Sequence, residues 1–190
     1  MIATALVRTA TTPIRWIDRA LLAHYEIFEF SDDPRCILRA GLTASPAAVT
    51  LQDGTSIERG EVIAELHLWS QRSMAVKSGV ELRRRLLKSF GDFARFAPTD
   101  SRVAHVRAVL VRTSVCDQFP RALLEKVCKP WGWEIDDRPR SRSQRFADFW
   151  DNFYIVLLGL AYPSGPIHFR RRIERVRVWI SVRRLIELHA

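Results

Sequence analysis

The sequence predicts one α+β domain: a mixed, mainly antiparallel sheet of about five or six strands covered by about three or four helices. Three observations predict it. The chain has 190 residues and is 47% apolar, which is enough for one compact domain with its own core and marginal for two. Its first third is a run of short alternating segments punctuated by turn residues. Its later part mixes segments of helical period with further alternating ones. The domain is read as residues 1–190, with 1–12 as a disordered lead and 136–145 as a mobile loop.

Residues 13–25 read as a short helix, because Pro13 suits a first helical position and Ile14, Ile17 and Leu21 share one face. The stretch Glu26–Asp33 alternates only in part. Asp53-Gly54 marks a tight turn between Val49-Thr50-Leu51 and Ser56-Ile57. The next strand, Val62–Trp69, places Ile63, Glu65, His67 and Trp69 on one side and Val62, Ala64, Leu66 and Leu68 on the other. The first third is thus a helix followed by an antiparallel meander.

The period then changes. Val80, Leu82, Leu86, Leu87, Phe90 and Phe93 recur at helical spacing over 78–96, and Ser78 with Glu81 forms a capping-box pattern. Val103–Val115 alternates as a strand, Ala122–Val127 reads as a helix closed by Pro130-Trp131-Gly132, and Trp133-Glu134-Ile135 reads as a short returning strand. That order fits a βαβ unit or a split α+β sandwich. Phe146–Leu160 is a helix with Phe146, Phe149, Trp150, Phe153, Leu157 and Leu160 on one stripe. Ile167–Leu188 alternates in its middle, but its length without Gly or Pro leads to a helix assignment.

Charge is distributed unevenly. The chain carries 30 basic and 21 acidic residues, a net of +9, yet residues 1–69 hold six basic residues against nine acids. The excess therefore lies in the later two-thirds, in Arg83-Arg84-Arg85 and in Arg170, Arg171, Arg172, Arg175, Arg177, Arg183 and Arg184. Such a surface attracts phosphates of lipid headgroups or nucleic acid. The run Ile155–Tyr162 is too short to span a bilayer, and Met1–Thr12 lacks the pattern of a secretory signal. Three scattered cysteines fit a reducing compartment rather than a disulfide scaffold, so the chain is expected in the cytoplasm.

Chemical motifs are sparse. There is no Gly-rich phosphate loop, no zinc-spaced Cys/His set and no nucleophile elbow, so neither a cofactor nor a metal is predicted. His67 is the most suggestive single residue. Glu65 two positions earlier on the same face could orient or charge its imidazole, as a general base requires. The alternative is a structural histidine bonded to neighbouring backbone.

The run Asp53-Gly54, Ile57, Gly60–Trp69, with Leu66-His67 as its most specific part, resembles the YkoP-like family of bacterial proteins. The layout downstream is similar too: a helix near 80–93, a strand near 104–113, Trp131-Gly132-Trp133, then Phe149, Phe153 and Trp179-Ile180-Ser181. The resemblance covers roughly residues 15–185. It departs at Trp69-Ser70, where the family commonly has Asn after the His. That family is found with polysaccharide deacetylases and glycosyltransferases, which implies a role in envelope glycoconjugate metabolism beside such an enzyme partner.

Three functional readings follow. The first is an accessory protein of envelope polysaccharide or lipid metabolism, held at the inner membrane face. Its Arg-rich C-terminal half would meet anionic headgroups, and the Phe146–Leu160 face would insert partially. The second is a small transferase or hydrolase on a phosphorylated or glycosylated substrate. His67 would be its base, Glu65 the orienter, and Arg83, Arg84 or Arg112 an anion clamp. The third, with less support, is a nucleic-acid-binding module; it lacks a groove-reading motif and has few aromatics among its arginines.

Overall fold

A computed structural model describes residues 16–69, 78–113, 121–136 and 176–190, together with 13, 14, 72, 76, 138, 142, 145, 146, 148–150 and 153. In chain order these form helix α1 over 16–24, strands β1 (Leu38–Ala44), β2 (Val49–Thr50), β3 (Ser56–Ile57) and β4 (Val62–Leu68), and helix α2 (Gly79–Phe96). Then come β5 (Ala108–Thr113), α3 (Arg121–Cys128), a 3-10 turn (Lys129–Trp131), β6 (Glu134–Asp136), β7 (Val176–Ser181) and α4 (Val182–His189).

The strands make a five-stranded mixed sheet in the order β1-β4-β5-β7-β6, and β2 and β3 pair as a separate hairpin. β4 and β5 run parallel, joined through α2; the other neighbours are antiparallel. β7 inserts between β5 and β6, so β5-α3-β6 is the split form of a βαβ unit. The α+β class and the mixed sheet agree with the sequence.

Alternation sorts the sheet's side chains into two layers. Ala64, Leu66, Val109, Val178 and Ile180 pack under Phe90, Phe93 and Ala94 of α2 and Leu185 of α4. On the other face Ile63, Ala108, Leu110 and Trp179 are covered at one end by Leu51 and Ile57 of the hairpin. α2 starts as its capping pattern predicts, with the Ser78 hydroxyl accepting from the Glu81 N–H. Gly91 lets the end of α4 come close, since a Cβ there would sit 2.9 Å from the His189 carbonyl oxygen. Gly132 has φ 77°, and a Cβ on it would meet Leu188 at 2.5 Å.

Four expectations change. The assignment of Ile167–Leu188 to one helix is overturned: its alternating middle is β7, flanked on both sides by strands, and Ser181 caps α4 by accepting from the Arg184 N–H. A residue in extended conformation that can also cap a helix ends the strand without Gly or Pro. The strand expected from Val103 begins only at Ala108, because 101–105 form turns. In α1 the expected buried face is displaced: Ile17 is exposed, and Asp18 is buried instead. Asp136, placed by the sequence in a mobile loop, belongs to β6. The expectations for 1–12 and for Arg170, Arg171, Arg172 and Arg175 lie outside the described residues, as does most of 137–145.

Candidate functional site

The sheet's second face carries its polar chemistry beyond the hairpin. Register brings Glu65 beside Leu110, and Arg112 beside Arg177, which lies opposite Asp136. Arg112 reaches back across β5 to β4 and grips both Glu65 oxygens through Nε and Nη2. Arg177 Nε lies 3.2 Å from Asp136 Oδ2, and Arg138 Nε donates to Asp136 Oδ1 at 2.8 Å. Glu65, Arg177 and Asp136 are all buried, so each charge is answered inside the layer. Burial by itself would raise the Asp136 carboxyl, but the hydrogen bonds from Arg138 and the Arg177 charge outweigh it and hold the group below its ordinary range.

His67 is half-buried opposite Arg39 in the β1–β4 register. Its Nε2 lies 3.6 Å from the point where a Cβ on Gly41 would sit, and Ile27 and the Tyr25 carbonyl crowd the same point. Arg39 pairs with Glu29 at 3.0 Å. The guanidinium carbons of Arg39 and Arg72 approach the Trp69 ring centroid to 3.9 Å and 3.5 Å. Arg72 also donates to the carbonyls of Asp33 and Cys36, so Trp69 fastens the end of β4 to the entry of β1. This surrounding is a packed joint.

A groove of about 530 Å³ runs between β2 and β6, with Val49, Leu51, Glu134, Ile135, Asp136 and Trp179 on its walls. His67 does not line it. Glu134 accepts from the Gln52 N–H at 2.9 Å; burial, helped by the Asp53 charge, raises its carboxyl above the ordinary range. Among the described residues no group of three or more His, Cys, Asp or Glu side chains could hold a metal ion.

The second feature is an aromatic ridge. Residues 146, 148–150 and 153 are helical, and Phe146, Phe149, Trp150 and Phe153 are between 49% and 65% exposed. Trp150 meets Phe146, Phe149 and Phe153 edge-on, at centroid distances of 6.2, 5.6 and 5.9 Å. Arg142 and Arg145, just upstream, are exposed. Four large rings clustered in water are unusual on a globular surface.

No family model matches the chain, and no curated protein or solved structure does either.

The residues singled out in the sequence are therefore dispersed. His67, Glu65 and Arg112 share one face of the sheet, and Arg112 takes both Glu65 oxygens. Arg83 and Arg84 stand exposed on α2, the helix packed on the opposite face. Arg177 is buried, which removes it from any solvated anion-binding surface. Many other bases are paired: Arg95 with Asp92, Arg102 with Asp100, Arg107 with Glu61, Arg183 with Asp53 and Arg184 with Glu187. Sequence reasoning missed the Asp136–Arg177 pair and the Arg39–Trp69–Arg72 stack. The Asp136–Arg177 and Arg39–Trp69 contacts join residues distant in sequence that only strand order brings together, whereas Arg72 follows Trp69 by three residues. No helix among the described residues is long and apolar enough to cross a membrane.

Proposed function

We propose that this protein is a peripheral accessory factor that docks on an anionic lipid surface through the ridge of Phe146, Phe149, Trp150 and Phe153. The single observation that carries the reading is the exposure of these four rings beside Arg142 and Arg145. The Trp150 ring suits the headgroup–acyl boundary, where it leaves water while its N–H stays wet, and the three Phe rings add apolar area to bury. Nearby guanidinium groups contribute about 1 kcal/mol each toward an anionic surface. Burying the rings then supplies the larger, salt-insensitive part of the affinity.

The charge argument is narrower than the sequence suggested. Many of the described arginines sit beside acids, so the ridge and its two adjacent arginines carry the reading, not the whole basic half. The resemblance to the YkoP-like run supports placing the factor at the inner membrane face, beside an enzyme of envelope polysaccharide or lipid metabolism. The enzyme reading has less support, because His67 sits in a packed joint and does not line the groove between β2 and β6.

The test is vesicle flotation of the full chain. Recovery with phosphatidylglycerol-containing vesicles and little with pure phosphatidylcholine supports docking. Equal recovery with both, or none with either, removes it.

A further inference from the structure

The groove between β2 and β6 holds a half-buried carboxylate that no cation answers. Glu134 lines it, and its Oε1 is engaged by the Gln52 N–H at 2.9 Å. No described residue donates to Oε2 or forms an ion pair with this side chain. Two arginines stand near, and both are committed to Asp136. Arg138 lines the same groove, but its Nε and Nη2 hold the two Asp136 oxygens at 2.8 and 2.9 Å, and its Nη1 donates to the Ala48 carbonyl. Arg177 is buried against Asp136 as well. Neither guanidinium lowers the Glu134 carboxyl; burial and the Asp53 charge raise it. Asp53 itself is paired with Arg183. Of the charged side chains on the groove's walls, Glu134 is the one left without a counter-charge.

The walls select the kind of cation. Val49, Leu51, Ile135 and Trp179 make them largely apolar, and a volume of about 530 Å³ is of the size that takes a small organic molecule. A hard divalent ion needs about six oxygens, and among the described residues no group of three or more His, Cys, Asp or Glu side chains could hold one. A guanidinium pairs best across both oxygens of a carboxylate, and one of these is already taken. An ammonium is a compact point charge that needs only the other. We propose that this groove binds a primary ammonium carried on a short apolar body, with the ammonium on Glu134 Oε2 and the apolar part along Val49, Ile135 and Trp179. The site shares no residue with the aromatic ridge and does not depend on lipid docking.

The experiment is a calorimetric titration of the full chain at neutral pH with hexylammonium, and with hexanol as its uncharged counterpart. The inference expects saturable binding of hexylammonium, about tenfold tighter than hexanol, and a loss of about tenfold in E134Q, the size of one charge-assisted hydrogen bond. The glutamine keeps an oxygen for the Gln52 N–H, and circular dichroism checks that the variant is folded. In methyl-labelled protein the Val49 and Ile135 signals should shift on adding hexylammonium. Equal affinity for hexylammonium and hexanol would overturn the inference, because charge would then play no part. Unchanged affinity in folded E134Q, methyl shifts confined to other residues, or no saturable binding would each overturn it too. If E134Q does not fold, the ratio of the two ligands together with the methyl shifts decides.

Discussion

A carboxylate buried in a sheet costs several kcal/mol unless its charge is answered, and Arg112 answers Glu65 from the neighbouring strand. Removing the cation alone leaves that charge stranded. R112A is expected to destabilise the fold by about 3 kcal/mol, measured by urea unfolding, whereas E65L/R112L should recover most of the loss. Equal costs for the single and double variants would mean that packing, not charge, dominates at this pair. Asp53 ties the hairpin to β7 and α4. Burial would raise its carboxyl, but hydrogen bonds from Ser181, Thr55 and Arg183 overcome that and hold it at about 2. A folded-state value below the unfolded one of about 3.9 means stability that is present above that pH and lost as pH falls toward the folded value. The unfolding midpoint should therefore drop between about pH 4 and pH 2, and D53N should flatten that segment of the profile.

Elements differ in how much of their cause is local. α2 is legible from sequence because Ser78, Glu81 and a helical stripe from Leu82 to Phe93 all lie within it. S78A should cost about 1 kcal/mol, read from the thermal or urea midpoint. The hairpin is legible for the same reason, with Asp53-Gly54 inside it. β7 is not: its alternation is plain, but whether Val176–Ser181 is strand or helix depends on vacancies beside β5 and β6 that only the assembled sheet defines. α1 fails differently. The spacing of Ile14, Ile17 and Leu21 identifies a helix yet not the face that is buried, because the choice between Ile17 and Asp18 is made by what lies beneath. His67 and Glu65 were correctly placed on one face. The grip of Arg112 on Glu65 was not legible, since Arg112 arrives from a strand 47 residues away. G132A should destabilise by more than about 1 kcal/mol, because a left-handed φ and the contact with Leu188 both exclude a methyl group.

For the whole molecule, a net charge of +9 does not by itself make a docking surface when so many guanidinium groups are spent on neighbouring acids. Among the described residues the four rings at 146–153 are the exposed aromatic cluster that has two arginines, Arg142 and Arg145, just upstream. A surface of that kind predicts mixed behaviour. Vesicle binding should weaken with added salt and then level off, the screened part belonging to Arg142 and Arg145 and the residual part to the rings. H67A should leave vesicle binding unchanged, since His67 sits in the joint between β1 and β4. The most direct measurement is flotation of the F149S/W150S/F153S variant beside the unaltered chain on phosphatidylglycerol-containing vesicles, with circular dichroism confirming that both are folded. The account predicts that the folded variant stays with the unbound protein; a variant that floats as completely as the unaltered chain would contradict it.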